Sequence, residues 1–387
     1  MRKIFFIIIL FLTINPISNV YASNLTTDMI NEQKENFGIS SFIDEANKYK
    51  GNFFDDLNIS EILTSAISGK IDNNTILKRI INLFGKEILS TLKTLVSILI
   101  VVLIHSIIKA IADNLQTSDV SNLIYYVQYI LIVTIIMSNF SNIISTITDT
   151  ITNLTGFMNT LVPLLITLMI YTGSITTSGL IEPIILFLIE FIGNIIVNLI
   201  IPTISIITAL IIISKISDKI QTAKLANFLK SSIIWFLGIF LTIFVGVVSL
   251  EGTLTSSVDG ITAKTAKAAV SSLIPVVGKI LGDSVDSVLG CGLVLKNALG
   301  VVGVIIIIGI CIIPIIKLAT LSIMYSISSA IIEPLADTKI VKLLEEFSGI
   351  FKLLLAVLCS VSVLFIIGIT LVIKISNSGM MYRWLIF

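Results

Sequence analysis

Apolar runs about as long as a bilayer is thick recur along this chain, and they limit it to folds that live in lipid. A helix needs roughly 20 consecutive apolar residues to cross the hydrocarbon core. Runs of that grade fall at about 91–112, 122–144, 157–173, within 178–216, at 232–250, within 297–334 and at 351–373. Charge is scarce in proportion: 13% of residues are charged and 55% hydrophobic. A soluble fold clothes itself with about 25% charged residues, so most of this surface faces lipid or other helices. The formal net charge of +1 leaves no basic stripe for a phosphate backbone, which excludes nucleic acid as a partner.

These runs predict an all-α, polytopic membrane protein with seven to nine spans. The upper part of that range assumes three breaks. Ser145 to Thr155, rich in Thr and Ser, reads as an interfacial connection between two spans. Residues 178–216 are long enough for two short spans, reversing near Asn198 and Pro202. Pro314 with Lys317 marks either a hairpin or a kinked single helix.

The amino terminus has the pattern of a cleavable signal peptide. Met1-Arg2-Lys3 is followed by the apolar run Ile4 to Leu12 and by Pro16. Val20-Tyr21-Ala22 then predicts cleavage between Ala22 and Ser23. Residues 1–22 are therefore read as the signal, and 23–90 as a small helical extracytoplasmic segment. Within it, Asn58 and Glu61 have capping-box spacing, and Ile62, Leu63, Ala66 and Ile67 share a face that Gly69 ends. A second amphipathic segment starts at Thr75 and suits the membrane interface or partner helices.

Membrane helices are then expected over 91–250 and 297–387, flanking a Gly-rich block at 251–296. Lys215, Lys219, Lys224 and Lys230 form the strongest basic cluster between spans, which places that loop in the cytoplasm. An exported amino terminus then requires an odd number of crossings before it.

Two constellations stand out as candidate sites. Glu190, Asn194 and Asn198 recur every four residues and so share one helical face, with Glu182 beside Pro183 nearer the helix start. A charge at the bilayer centre costs at least about 2.5–3.5 kcal/mol, so Glu190 needs water or a partner. Such a face serves an ion or substrate path, or a helix–helix hydrogen bond. The second constellation is Gly252, Gly260, Pro275, Gly278 and Gly282. Gly278 and Gly282 form a G-x-x-x-G pair that permits close helix approach. The block suits a re-entrant hairpin or helix pair lining a conduit, or an ordinary loop of short packed helices.

Catalytic signatures are missing. His105 is the only histidine, which excludes an H-E-x-x-H site and any His-pair metal centre. Neither a phosphate loop nor a G-x-S-x-G elbow is present. Cys291, Cys311 and Cys359 lie in apolar stretches without metal or disulfide spacing and read as small hydrophobes. No enzyme activity, cofactor or metal is expected.

The block from Glu251-Gly252-Thr253-Leu254 through Asp259-Gly260, Ala263-Lys264-Thr265-Ala266-Lys267, Ile274-Pro275-Val276-Val277-Gly278 and Gly282-Asp283 resembles the stage III sporulation protein AE family of endospore formers. The resemblance extends to Ile332-Glu333-Pro334 and covers most of residues 90–375. It implies a multi-pass protein of the mother-cell membrane around the forespore. The implied role is that of a subunit in a secretion-like channel complex supporting forespore development. Other membrane proteins and a separate ATPase would be its partners, and self-association is compatible with it. The rival readings are an ion-coupled secondary transporter working through Glu182 or Glu190, and a non-conducting membrane scaffold.

Overall fold

The computed structural model describes residues 39–49, 59–68, 73–114, 118–216, 222–273 and 277–384. The proposed cleavage site at Ala22 and Ser23 and the proline at Pro275 lie outside the described residues. Two short helices come first, α1 (Ile39–Tyr49) and α2 (Ile59–Ser68). Long ones follow: α3 (Asn73–Asn114), α4 (Ser118–Tyr171), α5 (Ile175–Ile195), α6 (Ile201–Ile216), α7 (Ala223–Leu273), α8 (Val277–Ile332) and α9 (Thr338–Trp384). A π-helical turn, Ile196–Ile200, joins α5 to α6 without a break.

Six helical stretches among the described residues are long and apolar enough to cross a membrane: Glu87–Ile108, Tyr125–Tyr171, Ile175–Ile216, Ala223–Leu250, Gly290–Ile332 and Thr338–Lys374. That is fewer than the seven to nine expected, because neither Ser145–Thr155 nor the Asn198–Pro202 region is a reversal, and of the two alternatives at Pro314 the single helix holds. Over Ser145–Thr155 the hydroxyls turn inward on their own helix. Thr146, Thr148, Thr150 and Thr155 donate to the carbonyls of Asn142, Ile144, Thr146 and Ile151 at 2.6–3.0 Å. A polar run satisfied in this way needs no turn, and α4 passes straight through it.

Near Pro202 the chain again continues. Proline supplies no N–H to the carbonyl one turn back, and the π turn just before it absorbs the missing bond, as local register shifts do in membrane helices. Pro314 likewise sits inside α8. The expected amphipathic segment from Thr75 is the first half of α3 and continues into the first span.

The described core is one apolar cluster drawn from α1 through α9. On α5, Ile181, Ile185, Ile189 and Ile192 are buried on a single ridge, and Ile196, Ile204, Ile207 and Ile211 carry burial on through the π turn and α6. The α8–α9 pair packs most extensively. Helix α1, not foreseen in the sequence, buries Ile39, Phe42 and Ala46. Its Phe42 ring lies 6.2 Å from that of Phe157 on α4.

One end of the bundle gathers the residues that flank the basic loop. Tyr125 and Tyr129 at the start of α4 donate to the carbonyls of Lys215 and Ile212 at 2.9 and 2.6 Å. Lys339, at the start of α9, lies 5.9 Å over the Tyr125 ring. Ser106 near the end of α3 donates to the Leu335 carbonyl between α8 and α9. Three candidate spans, the third ending at Ile216, lie before residue 217, an odd number, so the parity argued from sequence is compatible with fewer crossings.

Candidate functional site: an outward polar seam

Because α5 buries its isoleucine ridge, the positions opposite that ridge are displayed on the outside of the bundle. Glu190, Asn194 and Asn198 are all exposed there. The structure brings these three into one groove of about 470 Å³, lined also by Phe187, Phe191, Ile195 and Leu199. Glu182 does not reach it; that side chain is half-buried two turns earlier.

Local sequence explains the placement. Gly193 faces α4, where an added Cβ would stand 2.5 Å from the Thr155 hydroxyl, so glycine lets the two helices close up. The approach puts Asn159 of α4 within reach of α5, and its amide Nδ2 donates to Glu190 Oε2 at 3.1 Å. One turn further on, the Asn198 amide donates to Asn194 Oδ1. Asn198 lies in the π turn, which turns it by a fraction of a helical step relative to a regular helix. Aromatic rings wall the groove: Phe187 stacks on Phe191 at 5.6 Å, and Phe191 meets Phe240 of α7 edge-on at 6.4 Å.

The surroundings of this polar group are apolar. Phe187 is 64% exposed and Leu199 58% exposed, and exposed aliphatic side chains recur from Ile175 to Ile216. The seam is therefore a strip of hydrogen-bonding groups set into an outward hydrophobic face. It is not a lining of the bundle interior.

The Gly-rich block divides between two helices. Gly252 and Gly260 fall on α7, and Gly278 and Gly282 on α8, each helix continuing directly into a span; their immediate surroundings are outside what is described. Two charged features were missed in the sequence. Lys230, read there as part of the basic loop, lies within α7 and pairs with Glu346 of α9 at 2.6 Å, both side chains being half-buried. Lys296 on α8 is fully buried inside a span. The available signal was an isolated charge within an apolar run, the same signal that singled out Glu190.

Long apolar helices, a polar seam and a half-buried charge pair between spans define a multi-pass α-helical membrane protein. The family model described as stage III sporulation protein AE matches residues 57–376. A relative named stage III sporulation protein AE, from Bacillus subtilis (strain 168), is 32% identical over 307 residues, covering 79% of this chain and 77% of that protein. The chain belongs to the stage III sporulation protein AE family, and its role lies in sporulation. No solved structure matches it.

Proposed function

We propose that this protein is a non-enzymatic membrane subunit of a secretion-like channel complex linking mother cell and forespore, seated in the mother-cell membrane around the forespore. Its partners are other membrane proteins of that complex, including a separate ATPase, since the chain carries no phosphate loop. The observation that carries this reading is the outward seam. Glu190, Asn159, Asn194 and Asn198 are hydrogen-bonding groups on an exposed apolar face of a membrane body. Lipid tails offer such groups nothing, and polar side chains within spans face protein or water. A subunit built to meet other protein has a use for them.

The rival, a self-sufficient ion-coupled transporter, puts its essential carboxylate in a cavity between helices. Glu190 points the other way. Replacing it separates the readings, because Glu190→Gln keeps the acceptor for Asn159 and removes only the titrating proton. A neutral exchange of hydrogen bonds between membrane helices is worth about 0.6 kcal/mol, so spore yield should stay within roughly threefold of the parent. Collapse of spore formation with the variant chain present and inserted at parental level would favour the transporter.

A further inference from the structure

We propose that the α5–α6 seam is the contact between two copies of this chain, paired about a two-fold axis along the membrane normal. The inference rests on the reading that the protein works within an assembly, and it names the first partner in that assembly.

Length argues that protein covers this face. Ile175 to Ile216 is 42 residues of continuous helix, about 63 Å at 1.5 Å per residue, against roughly 30 Å of hydrocarbon. Exposed apolar side chains run along the whole of it, from Ile175 and Phe187 through Leu199 and Ile206 to Ile213 and Ile216. Lipid can cover no more than about half of that length. Tilt alone does not absorb a twofold excess, whereas association of helices does.

Hydrogen-bond chemistry and height choose a second copy as the occupant. The seam carries three carboxamides and one carboxyl group. Each amide presents two donors and an acceptor, so the strip is complementary to itself. A two-fold contact sets the same patch against itself. With the axis along the normal, both copies sit at the same depth and their α5–α6 helices run parallel. Glu190, Asn194 and Asn198 then meet their counterparts at equal heights, and the groove beside Phe187 and Phe191 receives the partner's side chains. A purely apolar helix would cover the hydrocarbon face but offer nothing to the amide donors and acceptors beyond the Asn198–Asn194 and Asn159–Glu190 bonds.

The test uses the full chain in membranes of sporulating cells. Leu199→Cys, and separately Phe187→Cys, is oxidised with copper phenanthroline. Ile130→Cys on α4, equally exposed but off the seam, and the parent chain serve as references. The seam cysteines should give a disulfide-linked species of twice the chain's mass, and Ile130→Cys should not. Adding Asn194→Leu should lower that yield by roughly five- to thirtyfold, the value of one interhelical hydrogen bond. A benzophenone amino acid at position 199 reads the neighbour directly. An adduct of two chains supports the proposal. An adduct of any other mass overturns it and leaves the assembly reading standing; the absence of any adduct, with the seam cysteines monomeric, overturns both.

Discussion

Gly300→Leu and Gly303→Leu should each cost about 1–3 kcal/mol of stability, the usual penalty of overpacking, and together they should abolish the monodisperse protein in detergent. Both glycines lie on α8 where it is clasped by neighbours. A Cβ at Gly300 would run into Ile373 Cδ1 of α9, and one at Gly303 into Leu161 Cδ2 of α4. Small residues at such crossings let helix backbones approach, which is how membrane helices gain packing without a hydrophobic driving force. The atoms in the way are tips of flexible side chains, so alanine should be tolerated at either site where leucine is not. Ile369 borders both positions, so the two substitutions should couple more than additively. Midpoints of thermal unfolding in detergent, with recovery from size exclusion, measure the effect. Parental behaviour of the double leucine variant would show that α8 does not pack as described.

Asn194→Leu with Asn198→Leu should leave the chain inserted and folded while reducing spore formation on the order of a hundredfold, from two interhelical hydrogen bonds of about 1–2 kcal/mol each. Both side chains are exposed, so leucine creates no cavity and no clash within the bundle. Insertion itself becomes easier when amides leave an apolar face. A loss of spores therefore reports a contact made outside the single chain. Wild-type sporulation from the double variant would mean that the seam has no role in assembly.

Much of this architecture is legible from residues alone, because 20-residue apolar runs have few other uses. The helical class, the span positions near 91–112 and 232–250, and the shared face of Glu190, Asn194 and Asn198 follow from hydropathy and the 3.6-residue period. The errors share one cause. Polar or proline residues read as chain reversals at Ser145–Thr155 and near Pro202, whereas at Pro314 the single helix is one of the two alternatives the residues allow. Within the bundle the first is accommodated by hydroxyls bonding back to the preceding turn and the second by a π turn. Hydropathy cannot register a hydrogen bond a side chain makes to its own helix. Nor does periodicity tell an inward polar face from an outward one: Glu190 reads equally well as a pore residue until the buried Ile185–Ile189–Ile192 ridge fixes which side is the core. Partners across helices, such as Asn159 for Glu190 and Glu346 for Lys230, depend on which spans are neighbours.

On this reading protein, not lipid, covers the outward face of α5 and α6. The direct measurement is photolabelling from the acyl chain of a phospholipid in membranes of sporulating cells, with single reporter side chains at Phe187 and Leu199, and at Ile323, a comparably exposed position on α8. Strong labelling at Ile323 with protection at both seam positions is the predicted result. Equal labelling at all three would show that lipid, not protein, covers the seam.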